Sequence, residues 1–189
     1  MGRGTRYPHV EALLRRHYAG GRVLELGAGG AVYRDMFTDY VASDLPTTPY
    51  ARPGDLDVCC DARQLPFAAG SFALCFAVAS LYMMPDPGNV FREVHRCLAD
   101  GGVFLAFDYS RATQEVLAER HRRQNDSVHL NLWTARELTD LLRDAGFAAI
   151  ERLETKVRWK ALVTMWPSFG DRYRPWLMIA AHKSRERIH

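Results

Sequence analysis

Apolar residues recur along this chain in short runs, and no single long stripe dominates. Arg22–Gly27, Tyr40–Leu45, Asp57–Ala62, Phe72–Ser80 and Val103–Tyr109 have the length and composition of strands. The fourth, "FALCFAVAS", is apolar on both faces, as in a parallel strand covered on each side. Two later runs, Ala148–Val157 and Trp176–His182, bring the expected strands to seven.

Between these runs the period changes to that of a helix. Val10–Tyr18 predicts a first helix, within an N-terminal segment 1–20. From Asn89, the residues Val90, Phe91, Val94, Cys97 and Leu98 fall on one stripe, with Gly101-Gly102 placed to end it. Thr134 and Glu137 form a capping box ahead of Leu138, Leu141, Leu142 and Ala145; Trp133 can staple onto Leu138, and Gly146 closes the pattern. The stretch "PTTPYARPGDL" has three prolines and no stripe, so a loop is expected where a crossover helix would otherwise stand. Alternating strands and helices predict βαβ units with right-handed crossovers. The result is an open α/β sheet with its ligand crevice at the strand C-termini. With no repeat or linker to divide it, residues 1–189 read as a single domain.

Composition narrows the function classes. Hydrophobic residues at 48% and charged residues at 25% are the balance of a water-soluble globular domain. A net charge of +3 is too small for a nucleic-acid footprint. The longest apolar run, Phe72 to Met84, is shorter than the ~20 residues that span a bilayer. No secretory signal is visible, and Cys59, Cys60, Cys75 and Cys97 have neither disulfide-framework nor zinc spacing. They read as reduced core thiols of a cytoplasmic protein without nucleic-acid or membrane partners.

The candidate chemistry starts in "RVLELGAGGAVYRDMF", a strand running into a glycine turn and then a short helix. A phosphate-cradling loop needs Gly-Lys-Ser/Thr, and this turn has no lysine. A dinucleotide fingerprint needs a third glycine where Val32 stands. The remaining pattern is E-x-G-x-G: Glu25, Gly27 and Gly29.

On that pattern the chain resembles the class I S-adenosylmethionine-dependent methyltransferases of the small-molecule, Methyltransferase-11-like type. Four strings carry the resemblance in order: "VLELGAG", "SDL", "DARQLPFAAGSF" and "DPGNVFREVHRCLADGGVFLAF". It covers nearly the whole chain. It implies a Rossmann-like, open, mostly parallel seven-stranded sheet with helices on both faces and an antiparallel last strand. It also implies S-adenosylmethionine as cofactor and S-adenosylhomocysteine as product.

Site roles follow from the same resemblance. Gly27, Ala28 and Gly29 let the backbone approach the cofactor. Glu25 orients that loop and complements the amino-acid end; a plain strand-end acid is its alternative. Asp44 accepts the ribose hydroxyls, unless it is only a turn aspartate. Asp61-Ala62 is the adenine-contacting pair, with a simple strand-end aspartate as its rival. Leu45 and Leu65 pack against adenine or belong to ordinary core, and Ala79 and Ser80 lie beside the methionine portion.

The chain also departs from the family. Ala73 stands where an Asp usually follows "SF", and Leu81-Tyr82 replaces the common His-His. No N/D-P-P-Y/F motif follows the fourth strand, so base amines and protein glutamine are not the expected acceptors. Few residues precede the first strand to build a substrate cap.

A hydroxyl acceptor needs a base, whereas an amine needs only its free form. Candidates near the strand ends are Tyr82, Asp108, Tyr109, His121 and His129. Tyr82 is the best placed of these, and His129 could also face the crevice. Residues 111–131 are expected to form a lid containing Arg120, Arg122 and Arg123. An insert over 158–175 brings Trp159, Met165, Trp166, Phe169 and Tyr173, which suit a pocket wall, a dimer contact or simple packing. The expected activity is metal-independent methyl transfer to oxygen or nitrogen, less readily carbon, of a small-molecule acceptor. The alternatives are a non-catalytic or partner-activating protein that binds the cofactor, and a non-methylating natural-product enzyme. A homodimer remains open.

Overall fold

The computed structural model describes residues 5–111, 113–115, 119, 131, 133–153 and 176–185. Its strands are β1 (Val23–Leu26), β2 (Tyr40–Asp44), β3 (Val58–Cys59), β4 (Phe72–Val78), β5 (Leu98–Tyr109), β6 (Ala149–Arg152) and β7 (Trp176–His182). They form one sheet in the order β3-β2-β1-β4-β5-β7-β6. The first five strands pair in parallel, and β7 runs antiparallel to both β5 and β6. β1 lies between β2 and β4 and is buried along its whole length, which explains its Val-Leu-Glu-Leu content.

Alternation along the strands feeds two cores. On one face Leu24, Leu26, Phe72 and Cys75 meet Val90, Phe91, Val94 and Cys97 of α2 (Pro87–Cys97) and Leu138 and Leu142 of α3 (Ala135–Asp144). The capping box at Thr134 and Glu137 forms as expected, and Trp133 is buried in the same core as Leu138. On the other face Val23, Leu74 and Phe76 meet Val10, Leu13 and Leu14 of α1 (Pro8–His17). Glu93 ties α2 to the preceding loop, accepting the Leu65 N–H at 2.8 Å while Arg96 reaches the carbonyls of Phe67 and Leu65.

Several elements differ from the sequence reading. The third strand keeps two residues, because only Ser43 and Asp44 of β2 find ladder partners there, while the Asp57 carboxylate takes the Ala42 N–H. The glycine turn leads into a single 3-10 turn, Arg34–Met36, instead of a helix. Ala31 at φ 48° breaks helical geometry before it, while Tyr33 and Phe37 fill the face that a helix would cover. α2 ends at Cys97 and not at Gly101-Gly102, since Leu98 is already extended and begins β5. Cys75 and Cys97 are core thiols, but Cys60 is half-buried and Cys59 exposed at the short sheet edge.

His121, His129, Arg120, Arg122, Arg123 and the insert with Trp159, Met165, Trp166, Phe169 and Tyr173 lie outside the described residues. Among the described residues no helix is long and apolar enough to cross a membrane.

Candidate active site

The glycine turn sits at the C-terminal end of β1, tied to the ends of both neighbouring strands. Gly27 (φ +63°) and Gly29 (φ +51°) adopt the left-handed backbone that other residues resist. A Cβ on Gly27 would lie 2.6 Å from the Cβ of Ser80, so the first glycine lets the end of β4 close against the turn. Ser80 Oγ completes that contact by donating to the Leu26 carbonyl at 3.1 Å. On the other side the Asp44 carboxylate accepts the Gly29 N–H at 2.9 Å and its neighbour Leu45 N–H at 2.7 Å. The Ala28 N–H donates to the Ser43 carbonyl at 3.0 Å. Each Asp44 oxygen still has an electron pair for a further donor.

Beneath the turn lies Glu25, 3% exposed. Tyr40 donates its hydroxyl to the Glu25 carboxylate. Burial, helped by the nearby Asp44 charge, pushes that carboxyl up to about 8 against the Tyr40 bond. Beside the turn stand Leu45 and Tyr50, 45% and 53% exposed, the only large hydrophobic side chains exposed among the described residues. A Cβ on Gly29 would lie 3.1 Å from the Cβ of Tyr50. The sequence reading passed over Tyr50, because only the fold brings its proline-rich loop to Gly29. Leu65 is buried in the core and Ala62 packs against it. Asp61 turns both carboxylate oxygens toward the Arg63 guanidinium, at 2.6–3.0 Å.

The ends of β4 and β5 make a second group. Ala79 holds φ 49°, its N–H donating to the Phe107 carbonyl at 2.7 Å. Tyr82 follows in the 3-10 turn Leu81–Met83, largely buried, with its ring 5.5 Å from that of Tyr109. Tyr109 in turn lies 5.0 Å from Trp176, and Trp176 lies 4.7 Å from Tyr7. Near Tyr82, Asp108 is fully buried. Its carboxylate faces the backbone N–H of Tyr82 as well as that of Tyr109, which donates to Oδ1 at 2.7 Å, while Oδ2 has no hydrogen-bond partner among the described residues. Burial pushes its carboxyl up to about 7, and burial together with the Asp108 charge pushes the Tyr82 phenol up to about 12. Asn131 and Gln114 brace the two strand ends, through Met84 O at 2.7 Å and Tyr109 O at 2.8 Å.

The turn therefore offers the Asp44 carboxylate and backbone amides, with a Glu25 carboxyl beneath that burial keeps largely protonated near neutrality. A diol suits the Asp44 carboxylate, and a polyphosphate does not. Residues 7–152 match the family model of a methyltransferase domain. The chain belongs to the class I S-adenosylmethionine-dependent methyltransferase family.

Relatives of this methyltransferase agree on the fold. It is 28% identical to a malonyl-[acyl-carrier protein] O-methyltransferase of Laribacter hongkongensis over 78% of this chain and 49% of that protein. An S-adenosylmethionine-dependent methyltransferase of Mesorhizobium loti superposes with a TM-score of 0.67 at 21% identity, covering 91% of this chain and 96% of that one. The Haemonchus contortus phosphoethanolamine N-methyltransferase 2, solved with S-adenosylhomocysteine, gives 0.66 at 18% identity over 94% of this chain and 52% of that one. The methyltransferase spans about half or less of the length of the curated relatives it matches. S-adenosylmethionine is the cofactor of the family, and the Asp44 carboxylate suits a diol.

Proposed function

We propose that this methyltransferase transfers the methyl group of S-adenosylmethionine to an oxygen or nitrogen of a small-molecule acceptor. The observation that carries the proposal is Asp108: a fully buried carboxyl at the end of β5, near Tyr82, whose Oδ2 has no hydrogen-bond partner among the described residues. When bound, the cofactor supplies a methyl group already activated on a sulfonium, so the protein's work is alignment and removal of a proton.

In this reading Asp44 takes the ribose hydroxyls while keeping its bond to Gly29, and Gly27, Ala28 and Gly29 line the approach. Glu25, largely protonated before the cofactor binds, complements the cationic amino-acid end by giving up that proton. Leu45 and Tyr50 cover the adenine, Asp61 and Ala62 contact its edge, and Ala79 and Ser80 flank the methionine portion. To contact an adenine amine, Asp61 must share its carboxylate with Arg63. Asp108 receives the proton that the acceptor loses, and its elevated pKa matches a base working near neutrality. Tyr82, beside it, orients the acceptor; His129 remains a candidate from the proposed lid. The aromatic walls favour an acceptor with an apolar or ring-bearing body. The O- and N-methyltransferase relatives support both acceptor atoms.

The test is incubation with S-adenosylmethionine and a fractionated metabolite extract, followed by mass spectrometry. The expected product is one methylene heavier than an extract component, with S-adenosylhomocysteine formed in step. Intact cofactor binding with no methylated product from any fraction would overturn the catalytic reading in favour of a cofactor-binding role.

A further inference from the structure

Far from the glycine turn, three residues from distant parts of the sequence meet on one sheet face: His17, Glu151 and His182. Their ligating atoms all lie within 4.8 Å of one another. We infer that they form a binding site for a divalent transition metal of the zinc class.

The elements explain the meeting. Ala149 pairs with His182 across the β6–β7 ladder, which puts Glu151 diagonally next to His182 on the same face. His17 ends α1, which packs over that face. His182 Nε2 stands 3.8 Å from Glu151 Oε1, and the two imidazole rings are 6.4 Å apart. An ion pair between His182 and Glu151 would leave one fact unexplained. His17 Nε2 is buried with no hydrogen-bond partner among the described residues, which costs stability unless something meets that nitrogen. A metal does so. His9 and His95 share this state, but among the described residues His17 alone of the three stands in a group of three ligating side chains.

The chemistry is suitable. Two imidazoles and one carboxylate are a common three-ligand set for zinc, with water in the fourth position. Bonds of about 2.0–2.2 Å require donors roughly 3.4 Å apart in a tetrahedron, so the ligands must draw in by up to about 1.4 Å. Glu151 is half exposed and can swing to do this, and its open side admits the water. The carbonyl end of α1 adds a favourable partial negative charge.

Position decides the role. Val103 pairs with both His182 and Leu74, and Leu74 pairs with Val23, so this cluster sits at the starting edge of the parallel strands. The glycine turn sits at the opposite edge. The metal therefore takes no part in methyl transfer. It staples α1 to the β6–β7 edge, and α1 is the helix that carries Tyr7 onto Trp176.

The experiment uses the tag-free chain after chelator treatment, titrated with zinc and separately with cobalt(II). Calorimetry should give one zinc per chain with a rise in melting temperature, magnesium should give neither, and cobalt(II) should show the intense visible bands of a tetrahedral site. His17→Ala and His182→Ala should each weaken zinc at least about tenfold. Glu151→Gln, at an exposed position, should do the same without loss of fold, keeping the test valid if a histidine variant misfolds. Absence of stoichiometric zinc binding would overturn the inference. So would unchanged affinity in these variants, or a loss of affinity produced instead by Cys59→Ser and Cys60→Ser.

Discussion

The Asp44 carboxylate holds the Gly29 N–H at 2.9 Å, so the acid that closes β2 also fixes the loop that follows β1. One side chain thereby sets the shape of the turn and presents negative charge to whatever lies over it. Asp44→Ala removes both effects. A hydrogen bond to a charged group contributes about 1.5–3 kcal/mol, so affinity for S-adenosylhomocysteine should fall at least about tenfold. Calorimetric titration measures this, and the melting temperature of the ligand-free variant shows whether the fold persists. Equal affinity in a folded variant would remove Asp44 from the site.

Ligand binding to the native state alone must also appear as stability. At a hundredfold excess over its Kd, S-adenosylhomocysteine should add roughly 2.7 kcal/mol, or roughly 5–10 °C in melting temperature for a chain of this size. Adenosine triphosphate should add little, because the turn offers the Asp44 carboxylate where phosphates would sit. A larger shift with the triphosphate would contradict the reading of the turn.

Gly27 gives a steric prediction. Alanine there would meet two costs: a left-handed φ, worth about 1–2 kcal/mol, and a Cβ 2.6 Å from that of Ser80. Gly27→Ala should lose roughly 2–4 kcal/mol by chemical denaturation. Adding Ser80→Gly should recover part of that loss, since it relieves the clash and leaves the φ strain. If the double variant is no more stable than Gly27→Ala, the close approach of β4 is not what requires the glycine.

Much of this was legible from local pattern. The stripe of α2 and the capping box of α3 both express physics within a few residues. Errors arose where a residue had two possible local roles. Gly101 and Gly102 read as a helix stop, yet the chain turns extended at Leu98, where β5 finds its partner Phe72. The glycine-rich start of a helix became a single 3-10 turn because Tyr33 and Phe37 fill the space with rings. Contacts made only by the fold left no trace in sequence. Tyr50 beside Gly29, Tyr7 against Trp176 and the His17–Glu151–His182 cluster each join elements with no shared pattern.

Asp108 links stability to pH as well as to chemistry. Its folded pKa is raised to about 7 by burial, against about 4 for an unfolded aspartate, and Glu25 is raised to about 8. Between those values the folded chain holds protons that the unfolded chain has lost, so stability falls as pH rises. The advantage is complete below about pH 4 and gone by about pH 8. Asp57 and Glu93 act in the opposite direction, since their lowered pKa values make their contribution disappear in acid. Together these shifts place maximum stability in mildly acidic solution. Denaturation at pH 5 and pH 8 should show the wild type less stable at pH 8, by up to a few kcal/mol. Asp108→Asn can keep the Tyr109 N–H bond through its own oxygen but has no proton to lose, so it should narrow that gap. The same variant should lower kcat about a hundredfold or more while leaving S-adenosylhomocysteine affinity unchanged. A variant with the wild-type pH profile and full turnover would show that Asp108 neither holds a proton in the fold nor takes one from the acceptor.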